Sequence, residues 1–188
     1  MEQLRSAAPG RPPWFADQRV SGGILFELGS HDIDLQVALA GPVVSAQAAA
    51  GDAALAQAGA PASDVEDVLL LTLRFASGAL GTIAVVWTGA DVPELFELDV
   101  FAESASLRMD LDPRFEVSGH VDGQRVSMTV AAHPLRRSVA RFLDAVRAGD
   151  PSLPFCSPAD ARQTLEIALA CERSLAEGSK PIDLRRSP

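Results

Sequence analysis

The chain has 188 residues, enough for one ordinary domain with a substantial core, and its 47% hydrophobic and 22% charged content is that of a globular protein rather than a disordered one. A net charge of −9 argues against a nucleic-acid partner, which needs a basic face. No apolar run approaches the roughly 18 residues of a membrane-spanning helix, "MEQLRSAAPGRPP" lacks the apolar centre of a secretory signal, and Cys156 and Cys171 lack both the spacing of a metal site and the number of a disulfide framework, so two reduced thiols in the cytoplasm are expected.

Residues 1–20 read as an irregular lead-in to a single domain over 21–188, because "APGRPPW" carries three prolines and a glycine. Ser21 is positioned to cap a helix over 22–40, which "AGP" stops. "PVVSAQAA" (42–49) suits a strand, and "GDAALAQAGAPASD" (51–64) reads as a low-complexity, mobile connection. From there the hydrophobic period changes. "VEDVLLLTLRF" (65–75) and "ALGTIAVVW" (79–87) are strand-like runs joined by "ASG" as a hairpin. "LFELDVFA" (95–102), "SLRMDL" (106–111), "FEVSG" (115–119) and "QRVSMTV" (124–130) extend the series around a "VDG" turn. A helix follows over 134–148, with Leu135, Val139, Phe142, Leu143 and Val146 at helical spacing. Another begins at "SPAD", with Ser157 as N-cap and Pro158 at the first helical position, and Gly178 terminates it. "PIDL" (181–184) suits a last strand. A helix, a block of hairpin-linked strands and closing helices together imply an α+β fold, a mainly antiparallel sheet with helices on one face. Apolar residues on both faces of 65–75, 79–87 and 95–102 imply that the second face is covered by another subunit or domain.

The chemistry concentrates in "SGGILFELGSHDIDL" (21–35). At about 100° per residue, Ile24, Leu28, Leu35 and Leu39 fall on one arc and Phe26, Ile33 and Val37 roughly opposite. Glu27, His31 and Asp34 gather between them within ~60°. A carboxylate beside an imidazole fixes its tautomer and raises its pKa, as a general base for an alcohol proton requires. The same trio also suits a plain solvated face. No HExxH or third clustered ligand supports a metal site, and Gly22-Gly23 alone is no phosphate loop.

These residues resemble the Gfo/Idh/MocA family of oxidoreductases, whose signature runs from a Gly-rich start through an acidic residue to His four positions on and Asp three beyond. Here those are Gly22-Gly23, Glu27, His31 and Asp34. "VEDVLLLTLRFASGALGTIAVVW" is similar to the family's sheet hairpin, and "FLDAVRAGDPSLPFCSPADARQTLEIALACERSLAEG" to its closing segment, so the likeness runs from about residue 11 to the end. It implies the family's C-terminal, substrate-binding and oligomerisation domain. The activity implied is hydride transfer between a sugar-like or cyclitol alcohol and NAD or NADP. His31 takes the acid–base role by match, with Glu27 beside it where the family usually has Asp. Asp34, Gly22, Gly23 and Trp14 are assigned to the substrate side.

No GxGxxG follows a strand anywhere, and the only lysine, Lys180, lies at the far end, where a solvated charge is expected instead of the family's catalytic lysine. The chain is therefore expected to lack the Rossmann domain and the first strand of the second domain, and to bind no cofactor alone. Expected partners are a second copy through the sheet face, a separate Rossmann-domain chain and a small polyol or sugar, with no membrane. The alternative is a non-catalytic ligand-binding or interaction module built on the same domain.

Overall fold

A computed structural model describes residues 1–7, 14, 17–51, 67–88, 92, 94–112, 114–129 and 134–185. Nine strands form one sheet: β1 (Glu2–Ala7), β2 (Val43–Gly51), β3 (Val68–Phe75), β4 (Leu80–Trp87), β5 (Leu95–Phe101), β6 (Ala105–Asp112), β7 (Glu116–Val121), β8 (Gln124–Thr129) and β9 (Ile182–Asp183). Their order is β8-β7-β6-β5-β1-β4-β3-β2-β9. All pairs are antiparallel except β1 with β4. The helices are a short α1 (Gln18–Ser21), α2 (Ser30–Ala40), α3 (Pro134–Ala148) and α4 (Pro158–Ala176), with a π turn at Leu25–Gly29 leading into α2. The α+β architecture implied by the sequence is the one observed, and every strand and helix expected after residue 40 is present. The 51–64 connection lies, after Gly51, outside the described residues.

The start of the chain differs from expectation. Residues 2–7 are not an irregular lead-in but the central strand β1, parallel to β4 and antiparallel to β5. "EQLRSA" alternates weakly and is bordered by proline and glycine, so its strand character comes from two neighbours rather than from its own pattern.

Helices cover one side of one part of the sheet. In β3, Leu69, Leu71, Leu73 and Phe75 are buried while Leu70, Thr72 and Arg74 are exposed, the alternation of a one-sided sheet. These side chains, with Ala46, Ala48, Ile83 and Val85, meet Ile24, Leu28, Ile33, Ile167 and Ala168 in the core. The start of α4 is held by a capping box, Ser157 Oγ accepting from Asp160 N–H and Asp160 answering the Ser157 backbone. Its far end is tied to β2, where Ser174 Oγ accepts from Ala48 N–H at 3.0 Å.

The opposite side of the sheet carries apolar side chains that stay exposed. Leu4, Ala84 and Leu70 stand in one row across β1, β4 and β3, with Leu4 37% and Leu70 51% exposed. Apolar residues on both faces were expected to require a cover for the second; within this chain no element provides one among the described residues.

Candidate functional site

The residues singled out by sequence lie where α1 gives way to the π turn and α2. Asp17 caps α1, its Oδ1 accepting from Arg19 N–H at 3.0 Å. Ser21 is the last residue of α1 rather than the N-cap of one long helix, and its Oγ accepts from Gly23 N–H at 3.0 Å. Gly22 ends α1 with φ +77°, and a Cβ there would come within 2.9 Å of Phe26 Cβ, so conformation and space both call for glycine. Gly23 also has positive φ, at +74°. Trp14 is 45% exposed, and its carbonyl accepts from Asp17 N–H at 3.2 Å, ahead of this junction.

The π turn changes the helical geometry assumed from sequence. Its hydrogen bonds span five residues instead of four, adding one residue to the turn that carries Glu27. The buried positions step by four, as Ile24, Leu28, Asp32 and Gln36 and as Leu25, Gly29 and Ile33. Leu39, placed with the core by a regular wheel, is 54% exposed. Ser30 Oγ donates to the Phe26 carbonyl at 2.6 Å at the end of the turn.

His31 is exposed, while Glu27 and Asp34 are half-buried. No hydrogen bond or ion pair joins Glu27 to His31, so the direct contact expected from their spacing is not made. Asp34 accepts instead from Thr164 Oγ1 of α4 at 3.1 Å. The turn before α4 also approaches Asp34: burial raises the pKa of the Cys156 thiol, and the carboxylates of Asp34 and Asp160 raise it further. The trio thus lies on the covered side of the sheet, with α4 and its preceding turn beside Asp34. Cys171 lies in the core, where burial pushes its thiol up to about 12, too high for a nucleophile. Lys180 is exposed.

Sequence reasoning missed the polar cluster beneath His31. Asp32 is 0% exposed, and its Oδ1 accepts from Gln3 Nε2 at 2.6 Å and from Arg5 Nη1 at 3.2 Å. Gln36, one turn further on and also buried, donates its Nε2 to the Thr82 carbonyl at 3.0 Å and to Gln3 Oε1 at 3.4 Å. A Cβ on Gly81 would lie 1.9 Å from Gln36 Oε1, so only glycine leaves the amide its niche. The Arg5 guanidinium also stacks 4.7 Å from the centroid of the Phe96 ring. Burial raises the Asp32 carboxyl from its ordinary value to about 6, against the opposing pull of Arg5. The available signal was the alternation of Gln3 and Arg5 with the i,i+4 pair Asp32 and Gln36. It goes unread if residues 1–20 are taken as irregular. Among the described residues no group of three or more His, Cys, Asp or Glu side chains could hold a metal ion.

The fold and motif agree with a family. The GFO/IDH/MocA C-terminal domain matches over residues 2–120, and the chain belongs to that family. The match includes β1, so it begins ahead of residue 11, where the likeness read from sequence starts. Comparison with curated proteins gives no match. Among solved structures, a Thermotoga maritima protein assigned as an oxidoreductase superposes with a TM-score of 0.80 at 18% identity, covering 97% of this chain and 54% of its own. GenD2 from gentamicin A biosynthesis, in complex with NAD, gives 0.76 at 22% identity, covering 98% and 55%. Levoglucosan dehydrogenase, in complex with NADH and L-sorbose, gives 0.75 at 19%, covering 98% and 58%. At these identities the likeness is one of fold. The chain spans little more than half the length of these structures. Among the described residues no helix is long and apolar enough to cross a membrane.

Proposed function

We propose that this domain forms the substrate side of an NAD(P)-dependent oxidoreductase acting on a sugar-like or cyclitol alcohol. His31 is the acid–base group. The nicotinamide, supplied by a dinucleotide-binding domain, accepts the hydride from the carbinol carbon when bound. His31 takes the hydroxyl proton as the carbonyl forms, and returns it in the reverse direction. Glu27 makes no hydrogen bond to His31 and supports it as a neighbouring carboxylate one turn earlier. Asp34, braced by Thr164, is placed to accept a bond from a second substrate hydroxyl. Gly22, Gly23 and Trp14 shape the approach to the site. The observation that carries this reading is an exposed histidine on a helix otherwise tied down on its sheet side, within a domain of this family.

Two partners complete the proposal. A separate or fused cofactor domain is supported by α3, whose Leu135, Val139, Phe142 and Val146 are all exposed. A second copy of the chain is supported by the open row of Leu4, Ala84 and Leu70. The reading places the protein in the cytoplasm, where NAD(P) is abundant. The experiment is reconstitution: supply a dinucleotide-binding domain as a second chain or a fusion, and follow NAD(P)H formation across a panel of polyols and sugars. Turnover in the assembly, with no dinucleotide binding by the isolated chain in calorimetry, is the expected result. An assembly that binds NAD(P) but turns over no alcohol would favour a non-catalytic module.

A further inference from the structure

We infer that Asp32 is a positioning residue for the site, holding the π turn in place and thereby setting where Glu27 stands relative to His31. This rests on the proposed role of His31 for its meaning in catalysis, but not for its geometry. A π turn is a less favourable arrangement than a regular α-helical turn, and its persistence needs anchors on both sides. Just before and within the turn the anchor is apolar, through the buried side chains of Ile24, Leu25 and Leu28. Apolar contacts alone tolerate rotation, because they have no direction.

Downstream the anchor is directional. Asp32 follows the turn by three residues and receives hydrogen bonds from two side chains of β1. Gln3 and Arg5 are two residues apart, so both face the helix from one strand. Gln36 adds a bond to the β4 backbone in the niche left by Gly81. Four-residue steps drift by about 40° each in a regular helix. The run from Ile24 to Gln36 would then leave the core face without an extra residue in the path. The π turn supplies that residue, and the carboxylate at 32 makes the resulting rotation the one that keeps its bonds. A buried charge is an expensive way to hold a helix that leucine could hold by packing alone, and its use here fits a need for register rather than for stability. Asp32 Oδ2 has no partner, so the pin acts through Oδ1.

The test compares Asp32→Leu with Asp32→Asn. Asparagine retains the acceptor for Gln3 and Arg5, whereas leucine retains only bulk. By crystal structure and amide NMR, Asp32→Leu is expected to replace the five-residue hydrogen bonds of 25–29 with regular helical ones and to shift the His31 ring resonances. Asp32→Asn is expected to keep both as in the wild type. In the reconstituted enzyme Asp32→Leu is expected to lower kcat by ~10²-fold, the usual effect of misplacing a catalytic group by about an ångström, with Asn recovering most of it. Should Asp32→Leu fail to fold, Gln3→Met, which removes the shorter of the two bonds, carries the same comparison. A folded Asp32→Leu or Gln3→Met that retains the π turn and the wild-type His31 resonances would overturn the inference. If His31→Ala leaves turnover intact, the catalytic reading fails while the structural comparison still decides the role of Asp32.

Discussion

Strands β2–β4 and strands β5–β8 belong to one sheet yet are finished differently. Over β2–β4 the helix-side positions reach near-zero exposure, because α2 and α4 lie on them. Along one helix-side row across the other strands, Leu98 is 2% exposed, Met109 and Val117 are half-buried, and Met128 is 63% exposed. The pattern of side chains is the same; the cover is not. α3, with an apolar stripe of its own, leaves that stripe in solvent. Folding free energy therefore concentrates in the covered part, and the uncovered part has apolar area in reserve for association.

The largest expected contrast comes from truncating one apolar side chain in each part. Leu71→Ala, at a site with no exposure, should destabilise by ~2–5 kcal/mol. Met128→Ala should stay within about 0.5 kcal/mol, the usual range for a surface change. Urea denaturation of both variants measures this, and equal losses would break the distinction.

A second contrast uses two carboxylates. Asp32 in the covered part is held up near 6 by burial, whereas Asp99 in the open part is held below the usual carboxylate range by the Arg108 guanidinium. The folded state therefore holds the Asp32 proton more tightly than the unfolded chain. Its contribution to stability declines as pH rises from about 4 to about 6. Two units correspond to about 3 kcal/mol, an order-of-magnitude figure. Asp32→Asn should remove that portion of the pH dependence, as thermal melts across pH 4 to 6 would read. A retained slope would place it in other groups.

Self-association sharpens the comparison on the opposite face. Leu70→Arg should shift a dimer or larger species toward monomer in light scattering at tens of micromolar, with unchanged melting of the monomeric core. The smallest expected effect is at Arg108, which pairs with Asp99 at 2.6 Å in solvent. Arg108→Ala should alter stability only slightly, and the difference should vanish in high salt.

The strand and helix pattern after residue 40 was legible because alternation, turn residues and caps agree there: "ASG" and "VDG" mark hairpins, and "SPAD" marks the capping box of α4. β1 was not, because a six-residue strand between two neighbours needs little pattern of its own. The π turn was not either, since a wheel drawn at one angle per residue cannot show an inserted residue. That error joined Glu27 to His31 and hid Asp32, whose identity as a buried acid depends on Gln3 and Arg5 from a distant part of the chain. The motif itself was readable, as its glycines, Glu27, His31 and Asp34 lie together in sequence.

The central claim is that His31 moves the proton of the substrate alcohol. Its most direct measurement is kcat of the reconstituted enzyme with His31→Ala, alongside circular dichroism and melting of the variant. The expected result is a fall of ~10²–10⁴-fold with folding unchanged, the usual contribution of a positioned acid–base group. Wild-type turnover in a folded His31→Ala enzyme would contradict it and return Glu27, His31 and Asp34 to ordinary helix surface.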